Sequence, residues 1–219
     1  MRFPITVGKV APTGPNSQAE RSDVMVTVKR KNGKAKVKQN QSGDLEYLTF
    51  PMLEETGMVR HLFSTRLGGV SKGIFSSMNL SYTRGDEKEA VDENYRRIAD
   101  VLGCEVSDIV CSDQTHTTHI RVVKESDKGK GILFPRDYTD VDGLITNIPG
   151  IVLATFYADC VPLFFYGYKK PRDWLIPFRL ARYGRTDGSA HDRSDGKRIR
   201  HKTGGYYGSY RALHLSGLL

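Results

Sequence analysis

Two side chains suited to holding a transition metal stand near apolar runs. His116 lies in CSDQTHTTHIRVV and Cys160 ends ATFYADC. Imidazole is the commonest transition-metal ligand and a base near neutral pH. A thiolate is a soft ligand suited to zinc, or a nucleophile when a histidine activates it. Each has a plainer reading: His116 as a hydrogen-bonded turn residue, Cys160 as a buried, inert thiol. His119 follows His116 by three positions, but Thr117 and Thr118 favour strand or turn, where the two rings would point apart. Arg66 precedes Gly68-Gly69 in STRLGGVSKGIFSSMNL. Paired glycines let backbone N–H groups approach an anion, and arginine adds a fork of donors; the alternative is a tight turn with a surface arginine. Asp140 and Asp142 precede Gly143, and Asp-Gly marks a turn more often than a catalytic acid.

Several elements must position these groups. GDEKEAVDENYRRIADVLGC is the clearest helix, with Ala90, Val91, Tyr95, Ile98, Val101 and Leu102 on one face. Asp86 is expected to cap it, with Glu89 as the box partner and Gly103 as the stop. Residues 47–69 suggest two short strands entering a glycine turn. DIVCSDQ, HIRVVKE, DGLITN and GIVLATFYADCVPLFFY read as further strands, the last as one long central strand covered on both faces. One helix among several strands predicts an α+β fold, a layered α/β sandwich with a mixed sheet.

The chain has 219 residues and 38% hydrophobic composition, enough for one domain with a tail. No run of 18 apolar residues predicts a membrane span, and no apolar leader segment predicts secretion. Three cysteines without CxxC spacing point to a reducing cytosol and no disulfide framework. The net charge of +8 invites a nucleic-acid partner. Its distribution argues against one: 12 of 33 Lys+Arg but only 4 of 25 Asp+Glu fall in 167–219, leaving 21 of each in 1–166. Residues 1–41 read as a flexible basic arm, with VMVTVKRK as a possible short strand, and 42–166 as the domain. Residues 167–219 lack Glu, Gln, Asn, Val, Met and Cys. No helical or strand period fits them, and disorder or misfolding is expected.

The ordered blocks TRLGGVS (65–71), SMNL (77–80), Gly85-Asp86 with Glu93-Asn94 and Arg97, QTH (114–116), DGLIT (142–146) and ADCVP (158–162) resemble one family. It is the YfiH/YlmD type, also called laccase-domain proteins or multicopper polyphenol oxidases, and described in some bacteria as a peptidoglycan editing factor. The resemblance implies a purine nucleoside phosphorylase that splits adenosine and inosine with phosphate, deaminates adenosine, and uses zinc. The family's metal ligands are the His of Q-x-H, the Cys of A-D-C and the His of a later H-x-G-W-R-G. The first two correspond to His116 and Cys160, which would thus be metal-binding and catalytic. Arg66, Gly68, Gly69 and Asn79 would contact phosphate or nucleoside. The older oxidase name implies copper and phenols, but the His–Cys–His set with a weak axial ligand of a type-1 copper site is not found. A Cys-dependent editing hydrolase, with Cys160 and His116 as its nucleophile pair, is a further alternative.

H-x-G-W-R-G is absent from the chain, and so is the family's later I-G-P-S-I-C. We read 167–219 as a frame-shifted translation of the segment that should carry them. Permitted codons for residues 173–185, read one nucleotide later, can give IGLSHSGWRGTVG. The missing His then arises across Pro177 and Phe178, and the Trp across Leu180 and Ala181. Residues 205–216 can likewise give DIMAAIGPSIC. One shift near 166–170 restores both motifs in order. The chain as written is therefore expected to be poorly stable and inactive. His191, His201 and His214 have no spacing that supports a third ligand.

Overall fold

A computed structural model describes residues 5–10, 37–115, 117, 119–157, 163–167, 198–203 and 206–214, with side chains over 37–115, 117 and 119–157. Its centre is a six-stranded mixed sheet. In chain order the strands are β1 (Ile5–Val10), β2 (Lys38–Ser42), β3 (Leu45–Thr49), β4 (Val59–Ser64), β5 (Ile109–Cys111) and, after two short strands elsewhere, β8 (Val152–Phe156). The sheet order is β2-β3-β4-β1-β8-β5. Every pairing is antiparallel except β5 with β8, which run parallel.

Alternation along these strands feeds two cores, one on each face. Leu62, Cys111, Val152 and Ala154 join the helix α2 (Lys88–Leu102) through Val91, Tyr95, Ile98, Ala99 and Leu102. Phe63, Val110 and Leu153 face the other way. There they meet Leu53 of the one-turn helix α1 (Pro51–Glu54), Val123, Val141 and Leu144. A parallel two-stranded ladder, β6 (Ile120–Val122) with β7 (Gly143–Ile145), belongs to this second layer. The expected α+β layered sandwich with a mixed sheet is the observed architecture.

Four details differ from the sequence reading. Asp86 does not cap α2: the N-cap is Glu87, with no side-chain capping bond. Asp86 instead accepts from the Asn79 Nδ2 at 2.9 Å and from the Glu87 N–H at 3.0 Å. Gly103 does end the helix, in the left-handed region at φ 63°. The long apolar strand is two strands, β8 and β9 (Leu163–Gly167), in different sheets. Pro162, in the stretch between them, has no N–H to give to a ladder. Residues 1–41 contain β1, which sits inside the main sheet, and most of β2; VMVTVKRK lies outside the described residues. Finally, 167–219 contains β10 (Arg198–Thr203) and β11 (Tyr206–His214), which with β9 make an antiparallel sheet in the order β10-β11-β9. A backbone ladder needs no apolar alternation, and β11 carries three tyrosines, a residue type favoured in strands.

Candidate functional site

The parallel pair brings two candidate segments out of the sheet at the same end. Cys111 of β5 lies opposite Ala154 of β8. His116 follows Cys111 by five positions and Cys160 follows Ala154 by six. His116 and Cys160 themselves lie outside the described residues. The chain on the way to each is well tied. The side-chain oxygen of Gln114 accepts from the Phe156 N–H at 2.6 Å and from the Ser112 hydroxyl at 3.1 Å, joining the two exits. Thr115 and Thr117, the neighbours of His116, both donate to Asp140: to its carboxylate at 2.6 Å and to its carbonyl at 2.9 Å. Asp140 is the one non-glycine described residue with positive φ, 57°, a conformation that Asp adopts more readily than most. An antiparallel bridge between Asp113 and Val141 runs beside these bonds.

Other groups near this edge are structural. The Cys111 thiol is fully buried, and burial pushes its pKa up to about 12; it is a core residue, not a nucleophile. Its carbonyl accepts from the Tyr138 hydroxyl at 2.6 Å. Arg136 pairs with Asp113 at 2.7 Å and donates to the Ser112 carbonyl at 2.9 Å. His119 is exposed, and its carbonyl accepts the N–H groups of Asp142 and Gly143. Burial raises the pKa of Asp127, but bonds from Lys130, the Lys124 N–H and Arg121 outweigh it and hold the carboxyl at about 2. Among the described residues, no three His, Cys, Asp or Glu side chains gather closely enough to hold a metal. No helix among them is long and apolar enough to cross a membrane.

The glycine loop after β4 is organised around a residue that helix periodicity alone does not single out. Asn94, fully buried on α2, donates to the Ser71 hydroxyl at 2.9 Å, the Asn79 carbonyl at 2.7 Å and the Ser77 carbonyl at 3.2 Å. It accepts from the Val70 N–H at 2.8 Å. In the sequence it shows as an amide on an apolar helix face, between Val91 and Tyr95, and as part of the Glu93-Asn94 block of the family resemblance, neither of which tells its role. The N–H of Gly69 goes to the Ser77 hydroxyl at 3.1 Å and that of Ser71 to the Ser77 carbonyl. Of the paired glycines, Gly69 thus gives its N–H to the loop itself. The glycines serve close packing: a Cβ on Gly69 would lie 2.0 Å from the Ser77 oxygen, and one on Gly68 2.2 Å from the Leu45 Cα. Arg97 donates to the Gly68 carbonyl at 2.8 Å while Glu93 holds its guanidinium. Arg66 is exposed, its carbonyl accepting from Ser77 and Met78. Asn79 is half-buried and binds Asp86 and Ser81. Of the six predicted site residues, Arg66, Gly68, Gly69 and Asn79 thus share one loop.

A family model described as multi-copper polyphenol oxidoreductase laccase matches residues 60–172, just over half of the chain. Purine nucleoside phosphorylase YlmD of Geobacillus stearothermophilus is 41% identical over 103 residues, which are 47% of this chain and 38% of that protein. The Bacillus subtilis protein of the same name is 39% identical over 108 residues, 48% and 38% of the two chains. Purine nucleoside phosphorylase LACC1 of Mus musculus is 32% identical over 126 residues, 56% and 26%. The crystal structure of YlmD from Geobacillus stearothermophilus superposes with TM-score 0.49 at 37% identity, over 57% of this chain and 46% of that one. The chain spans about two fifths of the length of the bacterial relatives it matches. With its motifs in order and the family model matching just over half of it, the chain belongs to the multi-copper polyphenol oxidoreductase laccase family, the group that includes YlmD.

Proposed function

We propose that the activity belonging to this chain's fold is phosphorolysis of purine nucleosides, with zinc held by His116 and Cys160. One observation carries the reading. The parallel register of β5 and β8, tied by Gln114, sends the His116 and Cys160 segments out of the same end of the sheet. The names of the bacterial and mouse relatives supply the substrate class. An imidazole and a thiolate are a borderline-soft donor pair that fits Zn²⁺. A bound zinc ion supplies Lewis acidity at the reacting centre. In phosphorolysis, a phosphate oxygen bonds to the ribose C1′ as the glycosidic bond breaks. The purine leaves with that electron pair and takes up a proton. Arg66, exposed in the glycine loop with its guanidinium 3.5 Å from the Ser76 carbonyl, is the cation assigned to phosphate in this reading. Adenosine deamination at the same centre, and a cytosolic setting that keeps Cys160 reduced, belong to the same reading.

The chain as written lacks the third ligand, so it binds zinc weakly and turns nucleosides over poorly or not at all. The test uses two proteins: the chain as written and one with the frame restored after about residue 166. Each receives adenosine or inosine, with and without phosphate, and released base is measured. Phosphate-dependent release from the restored chain, lost on Cys160→Ser together with stoichiometric zinc, is the expected result. No release from the restored chain overturns the proposal, and copper-dependent oxidation of phenols in its place would favour an oxidase. The frame itself is settled by the gene: a genomic reading identical to this protein, with no in-frame alternative, rejects the shift.

A further inference from the structure

We infer that β1 is a releasable latch: it joins the two halves of the main sheet, and it opens while both halves stay folded. The sheet order is β2-β3-β4-β1-β8-β5. Among the described residues, β1 is therefore the one strand paired to both the β2-β3-β4 block and the β8-β5 pair. Its pairing is antiparallel on both sides, and β5 runs parallel to β8. So β4, β8 and β5 point the same way and leave the sheet at one end, where Ile5 stands opposite Phe156 and Thr6 opposite Phe63. The glycine loop follows β4 and the threonine loop follows β5. The ladder that sets the spacing between these two loops thus runs through β1.

Three features make β1 the weak link. Gly8, near its middle, stands between His61 and Leu153, both buried. A strand glycine brings no side chain to pack there and loses more chain entropy on pairing. Lys9 stands directly across from Arg60 on β4, and like charges directly opposite destabilise a strand pair. On its other side Lys9 stands across from Val152, which is buried; such a position suits an apolar residue better than a lysine. Finally, both partners of β1 are distant in sequence, so each closing of the strand costs loop entropy. The two halves keep their own anchors. β2 pairs with β3 along a ladder from Lys38 and Thr49 to Ser42 and Leu45. The outer edge of β5 is bonded by Gly129, whose N–H goes to the Ile109 carbonyl at 3.0 Å, and by Lys130, whose carbonyl accepts the Cys111 N–H at 2.9 Å. Units anchored separately in this way open at separate free energies. An open β1 leaves bare edges on β4 and β8, which favour its return.

Native-state hydrogen exchange on the full chain tests this. Protection at Ile5–Val10 is expected to lie about tenfold or more below that at Leu45–Thr49 and Ile109–Cys111, as for a strand that opens ahead of the whole. The same opening should leave the Val70 N–H closed on Asn94, at 2.8 Å in the structure. Lys9→Glu sets a carboxylate across from Arg60. It should raise protection across β1 by about fivefold, the size of one cross-strand charge pair, and leave Leu45–Thr49 within about twofold of the parent. If Ile5–Val10 exchange only with the slowest amides, or carry those of β3 and β5 with them, β1 is part of one cooperative sheet and the inference is overturned. If Ile5–Val10 show no protection at all, no latch exists and it is equally overturned. Unchanged β1 protection in Lys9→Glu also overturns it, because the charge pair is then not its weak point.

Discussion

The glycine loop after β4 and the threonine loop after β5 leave the same sheet and are held in opposite ways. The first is organised from beneath by Asn94, fully buried, and the N–H groups of Gly69, Val70 and Ser71 go to Ser77 and Asn94. The second is held from outside, by Thr115, Thr117 and Asp140, all exposed. A loop closed on a buried amide is part of the core, because an unmatched donor or acceptor there costs the full loss of its hydration. A loop held by exposed hydroxyls contributes little to stability. The difference separates a buried scaffold from an exposed edge: a change costs more in the scaffold, and the edge can lose a tether and still fold.

The largest expected effect is on the scaffold. Gly69→Ala places a methyl 2.0 Å from the Ser77 oxygen and should destabilise the chain by about 3 kcal/mol or more. Gly43→Ala is its contrast. It has positive φ and nothing within 4 Å, so it should cost only about 1–2 kcal/mol of backbone strain. Urea unfolding of both variants checks this, and equal losses would mean that crowding at Gly69 is relieved by movement of the loop.

Next comes a pH effect from the sheet beneath. His61 on β4 is buried, its Nε2 accepts from the Phe50 N–H at 2.7 Å, and burial pulls its pKa down to about 4. Above pH 6.5 the ring is neutral whether folded or not and adds no pH dependence. Between pH 6.5 and 4 the unfolded chain takes up a proton that the folded chain refuses, so stability falls with pH, by about 3 kcal/mol in all. Below about pH 4 both states are protonated and the loss levels off. His61→Gln should flatten this limb between pH 6.5 and 4.5; an unchanged slope in the variant would assign the acid sensitivity to other groups.

Asn94→Ala should follow at about 2 kcal/mol, because it leaves the Val70 N–H and the Asn79 carbonyl without this partner and takes one of two donors from the Ser77 carbonyl, in a half-buried setting. Hydrogen exchange locates the damage: protection should fall at Val70 and its neighbours while Ile109–Cys111 keep theirs. Uniform loss across both would mean that Asn94 supports the whole sheet and not this loop.

The scaffold and the edge were also unequally legible in the sequence. The two-period strands and the helix face of Val91, Tyr95, Ile98 and Leu102 are written in apolar spacing, and so is the layered α/β sandwich. The role of the glycine loop's hub is not: Asn94 stands in the Glu93-Asn94 motif block, but an amide on an apolar face looks like an imperfection in the stripe until the carbonyls above it are known. The Gly68-Gly69 pair was legible as a close approach, but not which partner approaches; the structure answers with backbone, Leu45 and Ser77. Asp140 and Asp142 read equally as turn residues, and only the fold shows that the first gathers two threonines. β1, β10 and β11 carry few apolar alternations, and their pairing depends on ladders with distant strands, which local spacing does not encode.

The smallest effect on stability is the most discriminating for the edge. Thr115→Val and Thr117→Val each remove one exposed hydroxyl bond to Asp140 and should each change unfolding free energy by no more than about 0.5 kcal/mol. If the two bonds act as one tether, hydrogen-exchange protection of the Val141 N–H, which donates to the Asp113 carbonyl, should fall in both variants, and the double variant should fall little further than the less protected single. A loop held by only one of the two threonines already lacks the joint tether to Asp140, so the second loss adds little. Independent, additive losses would instead mean that each hydroxyl acts locally. The loop would then be no more organised than any exposed turn, and the contrast with the Asn94-centred loop would be one of burial alone.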